Sequence, residues 1–206
     1  MFGDIAIPNN NEVKFIEIAL RLGIKKLYFL YDFENNQRKI PEKIDLIKNN
    51  NKINIELGLI INQKNMNKAL QYSKLLVAES SYRDRFFLES KKIKLIYGFE
   101  GIYKKDYLHQ RASGLNHVMC ELANKNDVVV GLPYSALFNK NPAVVSLLIG
   151  RIMQNISLCQ KHNAKTIIGS FSSNPFELRP PYDIISLFTT LGMNSKTIRE
   201  SLAFSL

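Results

Sequence analysis

Short apolar runs alternate with longer amphipathic stretches along this chain, and the rhythm recurs about seven times. Asp4 to Ile7 reads as a short strand. Asn11 can cap a helix from about Glu12 to Leu22, in which Ile16, Ala19 and Leu20 share one side and Gly23 stands in the usual stop position. Lys26 to Tyr31 is a second strand, apolar on both faces. Pro41 opens a short helix to about Lys48, and Ile53 to Ile61 is a third strand. Asn62 then caps a helix expected to run to about Lys74. Leu75 to Ala78 and Ile93 to Tyr97 read as the fourth and fifth strands. Ser113 is the natural cap of a helix through about Asn124, and Val128 to Leu132 is a sixth strand. Asn141-Pro142 begins a long helix to about Lys161, with Val145, Leu148, Ile149, Ile152 and Ile156 on its buried side. Thr166 to Ser170 is a seventh strand, and two short helices, Tyr182 to Leu191 and Ser195 to Ala203, follow on either side of Gly192.

Strands apolar on both faces, alternating with helices, predict a parallel sheet covered by helices. About seven such units with no Gly-rich phosphate loop fit a closed barrel better than an open doubly wound sheet. The expectation is one α/β domain over residues 1–206, an irregular TIM-like barrel near the short end for that fold, with an eighth strand missing or degenerate.

Composition changes the picture in one respect. Lys and Arg number 28 against 18 Asp and Glu, a net charge of +10. Residues up to Tyr103 and residues from Lys104 onward carry +5 each, so no basic tail accounts for it. Such a balance suits a polyanionic partner, although a Lys-rich codon bias would also raise it. Cys120 and Cys159 lie far apart in sequence and without zinc spacing, as two lone thiols in a reducing compartment would. No signal-peptide layout opens the chain, and no apolar run looks long enough to span a bilayer, so the expected setting is the cytoplasm, with no membrane partner.

Candidate chemistry is sparse. The expected strand ends offer Pro8, Asp32, Asn62, Glu79, Phe99, Pro133 and Ser170, a poor set of metal ligands, and His109, His117 and His162 share no metal-binding spacing. Asp32 and Glu79 are a conceivable carboxylate pair, with ordinary hydrogen-bonded loop carboxylates the plainer reading. In the string Ser113-Gly114-Leu115-Asn116-His117, Leu115, Val118 and Leu122 predict an apolar helix face, with His117, Cys120, Glu121 and Asn124 on another. Asn116 and His117 could meet an anion at a helix N-terminus, or His117 could simply tie the helix to a loop by hydrogen bonds. The loop from Gly98 to Ala112 mixes Phe99, Tyr103 and Tyr107 with Lys104, Lys105, His109 and Arg111. It reads equally as an RNA surface and as a solvated loop with its aromatics in the core. Two prolines hold Arg179 in a fixed direction, for a ligand or for a bridge to Asp183.

Three strings carry a resemblance. Ser113-Gly114-Leu115-Asn116-His117-Val118 with Val128-Val129-Val130-Gly131-Leu132, then Arg179-Pro180-Pro181-Tyr182-Asp183-Ile184-Ile185-Ser186-Leu187 with Leu191-Gly192-Met193, and the opening Asp4-Ile5-Ala6-Ile7-Pro8 stand in one order. Together they resemble the TIM-barrel protein subunit of archaeal and eukaryotic ribonuclease P, and the short length without tails points to the archaeal branch. The resemblance implies an irregular TIM-like barrel related to the polymerase-and-histidinol-phosphatase barrels. Ala6 and Pro8 stand where those enzymes carry a His-x-His metal pair, so the barrel would bind no metal and take no catalytic step itself. It implies a ribonucleoprotein in which the RNA subunit, using Mg2+, removes the 5′ leader from precursor tRNA. The partners implied are ribonuclease P RNA, precursor tRNA, a small α/β protein subunit and other ribonuclease P proteins. The RNA-supporting cations of the family correspond to Arg111, Lys125, Lys161, Arg179 and Arg199. Asn116 stands where Asp is commoner, and nothing is implied for Arg83 or Arg85. The rival classes are a metal-dependent phosphoesterase of the related barrels and an RNA-binding barrel outside ribonuclease P.

Overall fold

The computed structural model describes residues 2–50, 52–203 and 206. Seven parallel strands lie in sequence order: β1 (Gly3–Ala6), β2 (Lys26–Asp32), β3 (Asn54–Ile60), β4 (Leu76–Glu79), β5 (Leu95–Tyr97), β6 (Val129–Pro133) and β7 (Thr166–Gly169). The sheet curls until β1 lies beside the chain leaving β7. There Phe171 N–H donates to the Ile5 carbonyl at 2.7 Å and Ile7 N–H to the Ser172 carbonyl at 2.9 Å. The strand count and the irregular barrel are those expected from the alternation.

Side chains alternate across the barrel wall, as the pleat requires. Ile5, Tyr28, Leu30, Val77, Leu95 and Phe171 fill the interior. At its upper end Tyr97 stacks on Phe171, with centroids 4.5 Å apart. The stack needs Gly131, because a Cβ there would lie 2.7 Å from Tyr97 Cβ and 2.8 Å from Phe171 Cζ. Outward residues such as Ala6, Leu27, Phe29 and Leu76 meet the helices.

The helices are α1 (Glu12–Arg21), α2 (Phe33–Asn36), α3 (Ile40–Lys48), α4 (Met66–Ala69), α5 (Asp84–Glu89), α6 (His117–Lys125), α7 (Pro142–Lys161), α8 (Pro181–Thr190) and α9 (Ser195–Ala203). Three expectations are corrected. The helix after Asn62 is one turn, α4, because Asn62 and Asn65 bond reciprocally: Asn62 Oδ1 accepts from Lys64 and Asn65 N–H, and Asn65 Oδ1 from Asn62 N–H. This local alternative competes with helical pairing. Ser73 then turns the chain back, donating to the Leu57 carbonyl at 2.8 Å. The helix expected from Ser113 begins instead at His117, capped by Asn116, whose Oδ1 accepts from Met119 N–H at 3.0 Å. Its buried side is Cys120 and Ala123, while Val118 is exposed. Finally, α7 is by length and composition apolar enough to cross a membrane. Here it packs on the barrel, and its buried face includes Arg151 and Asn155. Cys120 and Cys159 meet thiol to thiol between α6 and α7.

Two buried carboxyls set an unusual pH response. Asp4 faces the helix layer and accepts from Ile5 and Ser170 N–H, both at 2.6 Å, and from the Tyr134 hydroxyl. Burial outweighs these bonds and pushes its pKa from 3.8 up to about 6. Burial likewise raises Glu100 from 4.5 to about 7, with Arg151 opposing. Both groups bind a proton more tightly folded than unfolded. Their contribution is therefore complete in acid and lost as pH rises from about 4 through 6 to 7, of order 3 kcal/mol for each. The urea midpoint is expected to be higher at pH 5.5 than at pH 7.5, and Glu100→Gln should flatten the difference. A midpoint that rises across that interval would contradict this account.

Candidate nucleic-acid interface

The loops after β5 and β6 pack against α7 at the upper end of the barrel, and the chain after β7 reaches them where Arg179 lies over Phe138. The loop from Gly98 to Ser113 is held by Arg151, a fully buried side chain. Its Nε donates to Asp106 Oδ1 at 2.8 Å, and Nη1 to the carbonyls of Glu100 at 2.8 Å and Tyr103 at 2.6 Å. One turn further along α7, Asn155 Nδ2 donates to the Ser113 carbonyl at 3.0 Å. Glu100 Oε2, Arg151 Nη2 and Asn155 Oδ1 are buried there without a hydrogen-bond partner among the described residues. The sequence offered no sign of this cluster beyond two polar residues interrupting an apolar helix.

This anchoring holds Arg111, which is exposed, against Gly150 of α7. Its guanidinium lies so close to Gly150 that a Cβ at that glycine would stand 2.9 Å from Nε. Arg179 is half-buried beyond the end of β7. Its Nη1 donates to the Phe176 and Leu178 carbonyls, both at 2.9 Å, and its guanidinium lies 4.5 Å over the Phe138 ring. These contacts, and not the alternative bridge to Asp183, orient it. They satisfy one nitrogen while leaving the charge uncancelled by any carboxylate among the described residues. Tyr134 links this corner to Asp4, since its hydroxyl accepts from Arg179 N–H at 3.3 Å while donating to the Asp4 carboxylate.

The other cations lie elsewhere. Lys125 and Lys161 end α6 and α7, and Asn124 Nδ2 joins those ends through the His162 carbonyl at 3.3 Å. Both are exposed, at the opposite end of the barrel from Arg179. Arg199 is exposed on α9, which packs along β7. A hollow of about 740 Å3 between the end of α7 and α9 is lined by none of the five cations. His117 is exposed, and its ring lies 6.2 Å from that of His162. It makes no hydrogen bond among the described residues, so it is not the tether expected. The Asn116 cap needs only a side-chain oxygen, which Asn and Asp both provide.

Asp32 behaves as a loop carboxylate, accepting from Glu34 N–H at 2.9 Å and Asn35 Nδ2 at 2.5 Å. With Glu79 it faces Tyr97, whose hydroxyl is pushed well up by burial first and by these two charges second. Among the described residues, no three His, Cys, Asp or Glu side chains are grouped to hold a metal. The aromatics of the loop after β5 divide: Phe99 is core, while Tyr107 is 64% exposed.

Comparisons with known proteins bear on this surface. The model of the family described as RNase P subunit p30 matches residues 104–204. The chain is similar to ribonuclease P protein component 3 of Methanothermobacter thermautotrophicus, 30% identical over 96 residues. That stretch is 47% of this chain and 39% of that protein, so the match spans less than half of the relative's length. Component 3 of Methanococcus vannielii is 26% identical over 182 residues, covering 82% of this chain and 76% of that one. In three dimensions the chain resembles one in the cryo-EM structure of archaeal ribonuclease P with mature tRNA. The TM-score is 0.74 at 19% identity, over 97% of this chain and 87% of that one, a likeness of fold.

Proposed function

We propose that this chain, which over residues 104–204 matches the model of the RNase P subunit p30 family, acts as a protein subunit of ribonuclease P. In that role it supports RNA-catalysed removal of the 5′ leader from precursor tRNA. One observation carries the reading: the family match falls on the part of the barrel that holds Arg111, Lys125, Lys161, Arg179 and Arg199, with Arg151 and Asn155 of α7. The barrel takes no chemical step of its own. The RNA subunit cleaves with Mg2+, and the protein's cations offset phosphate repulsion as RNA helices pack. Its partners are ribonuclease P RNA, precursor tRNA, a small α/β protein subunit and other ribonuclease P proteins, in the cytoplasm.

Arg179 is the strongest single RNA contact in this scheme, because its stacking on Phe138 and its carbonyl bonds remove most of the ordering cost of binding. Reconstitution with the cognate RNA and the small partner protein, at limiting Mg2+, tests the reading. The chain is expected to raise cleavage of 5′-extended tRNA. Arg179→Ala should weaken RNA binding and lower the salt slope by about one, leaving cleavage measurable at high Mg2+. No stimulation, with phosphoester hydrolysis by the isolated metal-loaded chain, would replace this reading with that of a phosphoesterase.

A further inference from the structure

Two loops that are separate in sequence bring three tyrosines into one row, with Tyr82 and Tyr107 exposed and Tyr103 half-buried between them. Tyr82, in the loop after β4, is 83% exposed, yet its ring meets Tyr103 edge to face with centroids 6.0 Å apart. Tyr103 in turn lies 6.4 Å from Tyr107. Beside the row Leu108 is 91% exposed. Below Tyr103 a hollow of about 440 Å3, floored by Val144, Leu147 and Leu148 of α7, opens beside Lys104. Apolar surface concentrated in this way marks an interaction site, and the hollow is within the size range of small-ligand sites.

The charges around the row indicate what covers it. Arg83 follows Tyr82, and among the described residues its guanidinium donates to the neutral Gln63, at 2.7 Å, and forms no ion pair. Lys104 and Lys105 follow Tyr103 and form no ion pair among the described residues. The carboxylates of this loop are Glu100, which is buried, and Asp106, which is held by Arg151. The aromatic faces are thus bordered by cations, and the carboxylates of the loop that carries Lys104 and Lys105 are buried or already engaged. Rings to stack on and unneutralised cations beside them suit a single strand of nucleic acid, which presents flat bases and a phosphate every residue. An acidic protein segment would satisfy the cations but has no need of three rings in a row.

We propose that Tyr82, Tyr103 and Tyr107 form a stacking platform for unpaired bases of an RNA strand, with its phosphates on Arg83, Lys104 and Lys105. This site rests on the ribonuclease P reading for its biological strand, but its chemistry stands on the row itself. The strand it fits is a flexible, unpaired segment of the substrate or of the RNA subunit, not a duplex.

The test uses the full chain and a labelled ten-nucleotide oligouridylate, with a duplex of equal length as control. The wild type is expected to bind the single strand more tightly. Tyr82→Ala and Tyr107→Ala should each weaken that binding about tenfold, while Tyr82→Phe and Tyr107→Phe, which keep the ring, should retain it. Both side chains are exposed, and an unchanged circular dichroism spectrum checks the fold. Alanine variants that bind the oligonucleotide like the wild type overturn the proposal, and a loss of small-subunit association in those same variants would reassign the row to a protein contact. Tenfold losses in a chain that does not stimulate reconstituted ribonuclease P would keep the platform and remove the ribonuclease P reading.

Discussion

Replacing Gly114 by alanine is expected to destabilise the protein by more than about 3 kcal/mol, beyond the ordinary range for a point substitution. Gly114 has φ +81°, a conformation that disfavours a Cβ by about 1–2 kcal/mol. The Cβ would also stand 2.2 Å from the Phe99 carbonyl oxygen and 2.8 Å from its carbon. Those are backbone atoms at the start of the loop that Arg151 anchors, so relief requires the loop itself to move. Gly101, two residues beyond Phe99, is the control, because nothing lies within 4 Å of a Cβ there. Gly101→Ala should alter stability by no more than about 0.5 kcal/mol. Denaturant titration of both variants decides the matter, with limited proteolysis reporting whether cleavage near Lys104 and Lys105 increases in Gly114→Ala. Equal midpoints for the two would mean that the contact with Phe99 does not form.

Arg151→Ala is the second large effect expected, a loss of about 3–5 kcal/mol. The side chain is 1% exposed and serves three acceptors from one planar fork. Truncation strands the Glu100 and Tyr103 carbonyls and leaves Asp106 without its cation. Arg151→Lys keeps the charge but not the fork, and one ammonium cannot span Asp106 and both carbonyls in the same geometry. It is expected to recover only part of the loss. RNA binding should fall further than stability alone explains, since Arg111 and the Tyr103–Tyr107 segment both depend on this anchor. A lysine variant as stable as the wild type would show that charge, and not the fork, holds the loop.

The two largest effects thus fall on residues that contact no RNA in the proposed scheme. Arg111 and Arg179 are surface or half-buried cations, and each removes about one phosphate contact when lost. Gly114, Arg151 and Asn155 determine where the contacts stand. A screen for activity alone would therefore find the strongest phenotypes where the loop after β5 is anchored to α7 and miss the surface that binds.

Local pattern was enough to determine the architecture. Parallel strands buried on both faces must be continuously apolar, and runs such as Lys26 to Tyr31 and Val128 to Leu132 announce themselves for that reason. Helix starts marked by a side-chain oxygen before a periodic stretch were also legible at Asn141, although two candidate oxygens three residues apart let Ser113 be taken for the cap that Asn116 supplies. The strings around Gly114 and Arg179 carried the resemblance to the ribonuclease P subunit without any geometry. Tertiary structure alone decided the rest. Ser113 is drawn into the core by Asn155, a partner on another helix. Arg151 looks like an interruption of an apolar helix until the loop after β5 folds over it. The five cations, equivalent in sequence, separate onto Arg111 and Arg179 near one end of the barrel, Lys125 and Lys161 at the other, and Arg199 on α9. Tyr82 meets Tyr103 only because β4 and β5 are neighbours whose loops leave the same end. Periodicity reports which face of an element is buried, whereas these contacts join residues distant along the chain and exist only once the barrel closes.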